Sequence, residues 1–201
     1  MRLSRSFFTQ PSLTVAEKLL GQIIVRKIGR KIIRGVIVET ESYPGPHDRA
    51  SHAYKGRRTA RTEIEWNEGG YIYIYLVYGM YYQLNITTGK AGYPECVLIR
   101  ALDVRQQIAK SIAQRKEKGR LALSDLQLAN GPGKLCRWLK LDKSFYGEDI
   151  TKSKRLYLAK GVNIKKKDVK KGPRINIDYA GPHYASRHWR FWIKNNKAVS
   201  K

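Results

Sequence analysis

The segment from Tyr71 to Asn85, YIYIYLVYGMYYQLN, constrains the fold more than any other part of the sequence. Its first half alternates tyrosine with isoleucine or leucine, which is the period of a β-strand with one apolar and one phenolic face. Gly79 can turn the chain sharply, and residues 80–87 continue as a second β-prone run. Because the apolar face has to be buried, the segment predicts two strands in the core of a sheet.

Further strands and helices are predicted in mixed order. The predicted strands are 22–28, 32–41, 96–101, 155–160, 163–165, 174–179 and 188–193. The predicted helices are about 14–20, 103–118 and two short pieces within 126–140. Thr14 and Glu17 have capping-box spacing, and Asp103 is placed as an N-cap. This order favours an α+β fold, in which residues 1–201 form a single compact domain with a curved, mostly antiparallel sheet flanked by helices.

Charge indicates the class of partner. The 201 residues include 40 Lys and Arg against 16 Asp and Glu, a formal net charge of +24. Such a surface attracts a polyanion, and contacts with phosphates release condensed counterions, so we expect a nucleic acid as partner. A merely basic or ribosome-associated protein fits the charge equally well, so charge alone does not define the chemistry.

The same sequence argues against a membrane or secreted protein. No apolar run approaches the roughly 20 residues of a spanning helix, and no long apolar stretch near the N-terminus precedes a cleavage site. Cys96 and Cys136 have no C-x-x-C partner, which predicts reduced cysteines rather than a disulfide framework. We expect a soluble, intracellular monomer, in the cytoplasm or nucleoid if bacterial and in the nucleus if eukaryotic.

Two glutamates end an apolar strand in a chain that has few acidic residues. If residues 37–43 are extended, Glu39, Glu41 and Tyr43 share one face, and Pro44 ends the strand. A glutamate with an ordinary pKa of about 4.3 is ionised at neutral pH and can take a proton from water, as a general base must. A solvated or ion-paired glutamate is the common alternative at a strand end.

The tyrosines supply a second candidate site. Tyr71 and Tyr73 fit a half-buried strand that packs under a loop, whereas we interpret Tyr75 and Tyr78 as functional. Tyr78 breaks the alternation and precedes Gly79, so it is predicted to project from the protein as a wedge.

Histidine spacing does not predict a metal site. His47 and His52 match no standard ligand motif, so we expect no metal. His52 is interpreted as a hydrogen-bonding group near the Glu41 loop, with an ordinary structural histidine as the alternative.

A glycine turn supplies a candidate phosphate contact. The sequence NGPG, with Gly131 and Gly133, precedes Lys134 and exposes backbone amides at a predicted helix start. Pro132 suits the first helical position. A plain turn between helices fits the same residues.

Six stretches of the sequence, taken together, carry a family resemblance. They are VETESYPGP with His52 following, YIYIYLVYGMYYQLN, CVLIRALD, NGPGKLC, PRINIDYA and WRF. In order and spacing they resemble the alkyladenine (3-methyladenine) DNA glycosylase family of the mammalian type, over roughly Thr14 to Ile193. The motifs E-[TS]-E-[AS]-Y and YxYxxYGMxxxxN are highly specific to this resemblance.

The resemblance implies a monofunctional base-excision enzyme without metal or cofactor. Such an enzyme flips alkylated or deaminated purines, resembling 3-methyladenine or hypoxanthine, out of double-stranded DNA and hydrolyses the N-glycosidic bond with an activated water. An abasic site is left. By this resemblance Glu41 is the general base, and Arg100 helps to hold the water.

The resemblance also implies roles in base recognition. Tyr43 and Tyr75 correspond to rings that stack on the flipped base, and His52 to a histidine that contacts the base and the backbone. Tyr78 corresponds to the residue inserted into the duplex, and Asn85 to a side chain that disfavours a guanine amino group. Gly131, Gly133 and Lys134 are the candidate contacts to the DNA backbone.

Some positions depart from the family pattern. Thr59-Ala-Arg-Thr62 stands where the family often has Thr-Pro-Arg-Asn, the acidic EIEWNEGG follows, and Asn176 stands where Gly is frequent. The catalytic set is intact, so these departures predict differences in the DNA-flanking contacts and in the range of lesions.

Two other functions fit part of the sequence. A non-catalytic, basic nucleic-acid-binding protein would use the tyrosine-rich sheet to stack single-stranded bases, but it gives Glu41 no task. A lyase-type glycosylase would use a lysine nucleophile near the Gly131–Gly133 hairpin.

Overall fold

A computed structural model describes residues 1–107 and 128–200. The strands are β1 Ile23–Ile28, β2 Lys31–Tyr43, β3 Ile72–Val77, β4 Tyr81–Thr87, β5 Cys96–Asp103, β6 Leu156–Ala159, β7 Val169–Gly172 and β8 Arg190–Ile193. The α-helices are α1 Arg5–Phe8, α2 Ser12–Leu19, α3 Pro132–Leu139 and α4 Pro182–Ala185. Short 3₁₀ turns lie at Tyr54–Gly56, Glu63–Trp66, Lys143–Phe145, Lys166–Asp168 and Asp178–Ala180.

The eight strands found within residues 1–107 and 128–200 all belong to one antiparallel sheet. Its main order is β3-β4-β5-β2-β1-β6, with β8 beside β2 and β7 beside β8. The long strand β2 pairs with β5 on one side and with β1, then β8, on the other. This architecture confirms the predicted α+β fold with a mostly antiparallel sheet.

The two faces of β2 serve different purposes because its side chains alternate. Thr40 and Ser42 face α2, where they donate hydrogen bonds to the Ala16 carbonyl (2.8 Å) and the Ser12 hydroxyl (2.9 Å). Glu41 lies between them in sequence and therefore points to the opposite face. The helix α2 thus covers one side of the strand and leaves the other side for the candidate site.

The N-terminus of α2 differs from the predicted capping box. The helix begins at Ser12, so Thr14 lies inside it and does not cap it. The Ser12 amide donates to the Glu95 carboxylate instead (2.7 Å). A cap supplied from 83 residues away cannot be seen in a local pattern.

The first five strands and the hairpin around Gly29 were predicted correctly from sequence patterns, but part of the C-terminal third was predicted wrongly. The predicted strands 163–165 and 174–179 are wrong, since the first has no regular structure and the second contains the start of a 3₁₀ turn. The strand β7 was not predicted because VKKG lacks apolar alternation, and it forms only by pairing with β8. The predictions 155–160 and 188–193 are confirmed as β6 and β8.

The helix predictions after β5 are tested only in part. Residues 105–107 are helical, as predicted, while residues 108–118 lie outside the described residues. Asp103 is the last residue of β5, and its Oδ1 accepts the Arg105 amide (3.1 Å). The later helix is confirmed as α3, with Pro132 near its start. Residues 128–130 form a turn and a bridge from Asn130 to Ala101, so the described part of the first piece is not helical.

Both cysteines are buried free thiols, as predicted. Among residues 1–107 and 128–200, no helix combines the length and apolar character needed to cross a bilayer.

Candidate active site

A cavity of about 480 Å³ opens on the face of the sheet opposite α2. Strand pairing sets Glu41 of β2 opposite Leu98 of β5, Leu98 opposite Asn85 of β4, and Asn85 opposite Tyr73 of β3. At about 4.8 Å between neighbouring strands, Glu41 and Asn85 are separated by roughly 10 Å across this row. The floor of the cavity is therefore wide enough for a purine ring.

Most of the predicted site residues meet in this cavity. Its lining includes Glu41, Tyr43, His52, Tyr75, Tyr78, Asn85, Arg100, Gly131 and Lys134. Gly133 is not part of the lining. A side-chain carbon at Gly133 would lie 2.9 Å from the Tyr81 ring, so this glycine allows α3 to pack closely against β4.

Glu41 is fully buried, and three donors hold its carboxylate. Oε1 accepts the Ile175 amide (2.8 Å) and lies 3.2 Å from the Arg100 guanidinium. Oε2 accepts the Tyr43 hydroxyl (3.0 Å). Every contact is to a donor or a cation, which suits a negatively charged carboxylate held in one orientation.

Arg100 joins Glu41 to the second glutamate of the strand. Its Nε donates to Glu39 Oε1 (3.0 Å), and Glu39 also contacts Arg190 (3.1 Å) and accepts the Ser200 amide (2.7 Å). Burial lowers the pKa of Arg100, but the adjacent Glu41 and Glu39 carboxylates outweigh burial and raise it. Glu39 thus anchors Arg100 and the residues near the C-terminus, while Glu41 faces the cavity.

Two tyrosine rings line the cavity from different strands. Tyr43 lies on β2 and Tyr75 on β3, with β5 and β4 between them. The Arg174 guanidinium lies 4.6 Å from the Tyr43 ring centre, and Arg61 lies 4.6 Å from that of Tyr75. Burial and the Glu41 carboxylate raise the pKa of Tyr43, so its phenol stays neutral and donates to Glu41.

His52 is a neutral hydrogen-bonding group in the cavity wall. Its Nδ1 lies 2.6 Å from the Tyr73 hydroxyl, and its ring meets Tyr75 edge-on at 4.8 Å. Burial, together with the nearby Arg61 and Arg57, lowers the pKa of His52 to about 4. Tyr73 was interpreted as a packing residue, yet it lines the cavity and orients His52.

Tyr78 projects from the rim of the cavity, as its position before Gly79 predicted. Its side chain is 82% exposed, and its backbone has a φ of +52°. A bulky residue is rarely found in this left-handed region, where it costs about 1–3 kcal/mol. The turn therefore presents an exposed aromatic ring at an energetic cost.

Also at the cavity, the Lys134 ammonium donates to the Asn130 side chain (3.0 Å). This contact places a cation beside the glycine turn at the mouth of the cavity. No group of three or more His, Cys, Asp or Glu arranged to hold a metal occurs within 1–107 and 128–200.

Comparison with known proteins identifies the family. The model of the methylpurine-DNA glycosylase family matches residues 6–197. The chain belongs to the methylpurine-DNA glycosylase family. It is therefore a DNA repair glycosylase, and the resemblance seen in the motifs is confirmed.

Full-length relatives agree with this membership. A protein of Natranaerobius thermophilus is 38% identical over 200 residues, which cover 100% of this chain and 99% of the relative. A protein of Clostridium perfringens is 40% identical, with 100% of each chain covered, and one of Methanocella arvoryzae is 42% identical, with 99% and 96% covered. Each of the three is provisionally named a 3-methyladenine DNA glycosylase.

The departures from the family pattern have local structural explanations. Asn176 has a φ of +58°, a conformation that favours glycine but that asparagine also adopts. Thr62 closes the turn at 59–62, since its hydroxyl accepts the Thr59 amide (2.9 Å). In the acidic stretch, Glu63 pairs with Arg58 (2.6 Å), which reduces the negative charge presented there.

The structure adds two site residues that sequence reasoning missed. Arg174 and Asp48 form a fully buried ion pair with two hydrogen bonds, and Arg174 also donates to the Ser42 carbonyl (3.0 Å). This ion pair connects the loop after β2 to the segment that contains Ile175, whose amide donates a hydrogen bond to Glu41. Arg174 lies within the quoted motif PRINIDYA, but no local pattern relates it to Asp48, 126 residues away.

Replacing Arg100 by methionine is expected to lower the free energy of unfolding by about 3–5 kcal/mol. The change leaves the buried carboxylates of Glu39 and Glu41 without the cation that they share. Urea unfolding followed by circular dichroism measures the loss. The matched control Arg58→Met removes an exposed pair with Glu63 and should leave the unfolding midpoint unchanged. Equal midpoints for both variants would contradict this role of Arg100.

Proposed function

We propose that this methylpurine-DNA glycosylase takes an alkylated or deaminated purine from duplex DNA into the cavity and hydrolyses its N-glycosidic bond. The nucleophile is a water activated by Glu41, and the product is an abasic site. The observation that carries the proposal is a buried carboxylate with three fixed donor contacts, placed at the end of a purine-sized cavity.

The first step is extrusion of the damaged nucleotide. Unstacking a base costs a few kcal/mol, less at a damaged pair, and an inserted side chain can hold the gap open. Tyr78 is the exposed aromatic ring at the rim that fits this role. The net charge of +24 supports binding to DNA, with Lys134 and the Gly131 turn as contacts to the backbone.

In the cavity, the base stacks between Tyr43 and Tyr75. Stacking on an aromatic ring contributes roughly 1–3 kcal/mol per base and does not depend strongly on sequence. Asn85 is oriented by its donation to the Tyr73 carbonyl (3.2 Å). The Asn85 side chain disfavours the amino group of guanine by occupying the space that this group would need, while His52 contacts the base from the cavity wall.

The chemical step breaks the bond between the sugar carbon and the purine nitrogen. The bonding electron pair leaves with the purine, and the positive charge that develops on the sugar is stabilised by the Glu41 carboxylate. Water attacks the sugar carbon and transfers one proton to Glu41, while Arg100 helps to hold the water. Base catalysis of this kind contributes roughly 10²- to 10⁴-fold. The step needs only the carboxylate and water, which supports an enzyme without metal or cofactor. We further propose that the enzyme is a monomer that works on intracellular DNA.

A strand-scission assay tests the proposal against its two rivals. A methylated duplex is incubated with the protein and then treated with mild alkali at low temperature, which cleaves DNA at abasic sites, and a parallel sample without protein measures the scission that the methylated bases give by themselves. We expect scission that depends on both protein and alkali. Intact strands would favour a non-catalytic binding protein. A covalent adduct trapped by borohydride would indicate a lyase with a lysine nucleophile.

A further inference from the structure

The carboxyl group of Glu65 belongs to the cavity wall but has no part in the mechanism above. Glu65 lies in the 3₁₀ turn Glu63–Trp66, lines the cavity and is 1% exposed. Its Oε2 is buried and has no hydrogen-bond partner in the part of the chain that the structure describes. An unpaired buried polar atom costs free energy, so its retention beside a cavity indicates a partner supplied by the ligand.

The strand β5 runs along the cavity from Glu65 to the end that contains Glu41. Cys96, Leu98 and Arg100 are two residues apart and point to the same face. Arg100 holds Glu41 at one end of this row, and the Cys96 thiol contacts the Glu65 carboxyl at the other. A base that lies over Leu98 with its sugar toward Glu41 therefore has another edge toward Glu65.

Neutral groups surround this carboxyl. Burial raises the pKa of Glu65 to about 7, and the contact with Cys96 opposes part of the rise. Burial also raises the pKa values of Tyr73, Tyr75 and Cys96, which are therefore uncharged at neutral pH. The other titratable groups on neighbouring elements are Tyr146 and the neutral His52, and the nearest charged groups lie one step further away, Arg61 beside the two tyrosines and Glu95 beside Cys96.

We propose that Glu65 is a specificity-determining residue, whose neutral carboxyl group donates a hydrogen bond from Oε2 to an acceptor on the edge of the flipped purine. This inference rests on the proposed function. The preferred acceptor is the carbonyl oxygen of a neutral, deaminated purine. The ionised carboxylate instead favours a purine that carries the positive charge of an N-alkyl group. The protonation state of Glu65 thus changes the ratio of lesions that are excised.

The sign of the pH effect follows from the raised pKa. Below about pH 7 the acid is neutral and donates, and above about pH 7 it is ionised and accepts. The folded protein also holds this proton at pH values between the ordinary pKa of a glutamate and about 7, so the Glu65 contribution to stability falls as pH rises through that window.

The test measures single-turnover base release by the full chain from two duplexes, one with hypoxanthine and one with freshly formed 3-methyladenine, between pH 5.5 and 8.5. For the wild type, the ratio of hypoxanthine to 3-methyladenine release is expected to fall roughly fivefold to tenfold across this range, the effect of about one hydrogen bond. Glu65→Gln keeps a neutral donor, so its ratio should stay at the acidic value at every pH. Glu65→Met has no donor, so its ratio should be low and independent of pH.

A matched control comes from the same 3₁₀ turn. Glu63 is exposed and paired with Arg58, so Glu63→Gln should reproduce the wild-type ratio and its pH dependence. Thermal unfolding of each variant verifies that it is folded at the assay temperature. A purely structural Glu65 predicts altered unfolding with an unchanged ratio, and that result would overturn the inference while the proposed function stands. Release of neither base by the wild type would refute both.

Discussion

Glu41→Gln is expected to lower base release by about 10²- to 10⁴-fold while lesion DNA remains bound. The amide has nearly the same shape and can still accept the Ile175 hydrogen bond. It neither takes a proton from water nor carries the negative charge that stabilises the sugar in the transition state. Single-turnover release followed by liquid chromatography measures the loss, and a gel-shift titration measures affinity for the same duplex.

Glu39→Gln is the matched comparison for this variant. Glu39 is equally buried, lies on the same face of β2 and contacts the same arginine, but it does not line the cavity. We expect its loss to appear mainly in stability, with a much smaller fall in base release than at Glu41. Normal turnover by Glu41→Gln would exclude Glu41 as the general base.

Tyr78→Gly should reduce base release from duplex DNA by roughly 10- to 100-fold without lowering thermal stability. Tyr78 is 82% exposed, so its removal should not lower the free energy of unfolding. Without an inserted ring to hold the gap open, however, the enzyme has to supply the unstacking cost of a few kcal/mol in another way, and base release slows. Glycine also adopts the φ of +52° without steric strain. Release rates on duplex and single-stranded substrates, together with a thermal melt, separate the two effects.

Comparison of duplex and single-stranded substrates tests whether the Tyr78 ring is inserted into the duplex. A single-stranded lesion has no partner strand to displace, so Tyr78→Gly should affect it far less than the duplex. Tyr78→Phe keeps the ring and should retain most of the wild-type rate. If Tyr78→Gly released the base from duplex DNA at the wild-type rate, insertion of this ring would be ruled out.

Sequence reasoning was most successful where the physical rule is local. The alternation in Tyr71–Thr87 located β3 and β4, and the same period placed Glu41 and Tyr43 on one face of β2. Gly79 indicated the turn that exposes Tyr78. These predictions succeeded because two-residue periodicity and turn chemistry depend on neighbours along the chain. The motifs, read as a set, also identified the family.

Tertiary structure alone decided how those residues are held. The Ile175 amide reaches Glu41 from 134 positions away, and Arg174 reaches Asp48 from 126 positions away. The strand β7 exists because β8 pairs with it, and the carboxylate of Glu95 caps α2. From the sequence, the acidic stretch around Glu65 was interpreted as a loop near DNA, but the fold buries the Glu65 carboxyl in the cavity wall. The sequence by itself determined which segments form strands and which family the chain belongs to. Burial, partner choice and the pKa of each acid were decided only when distant segments met, because desolvation and hydrogen bonding act through space and not along the chain.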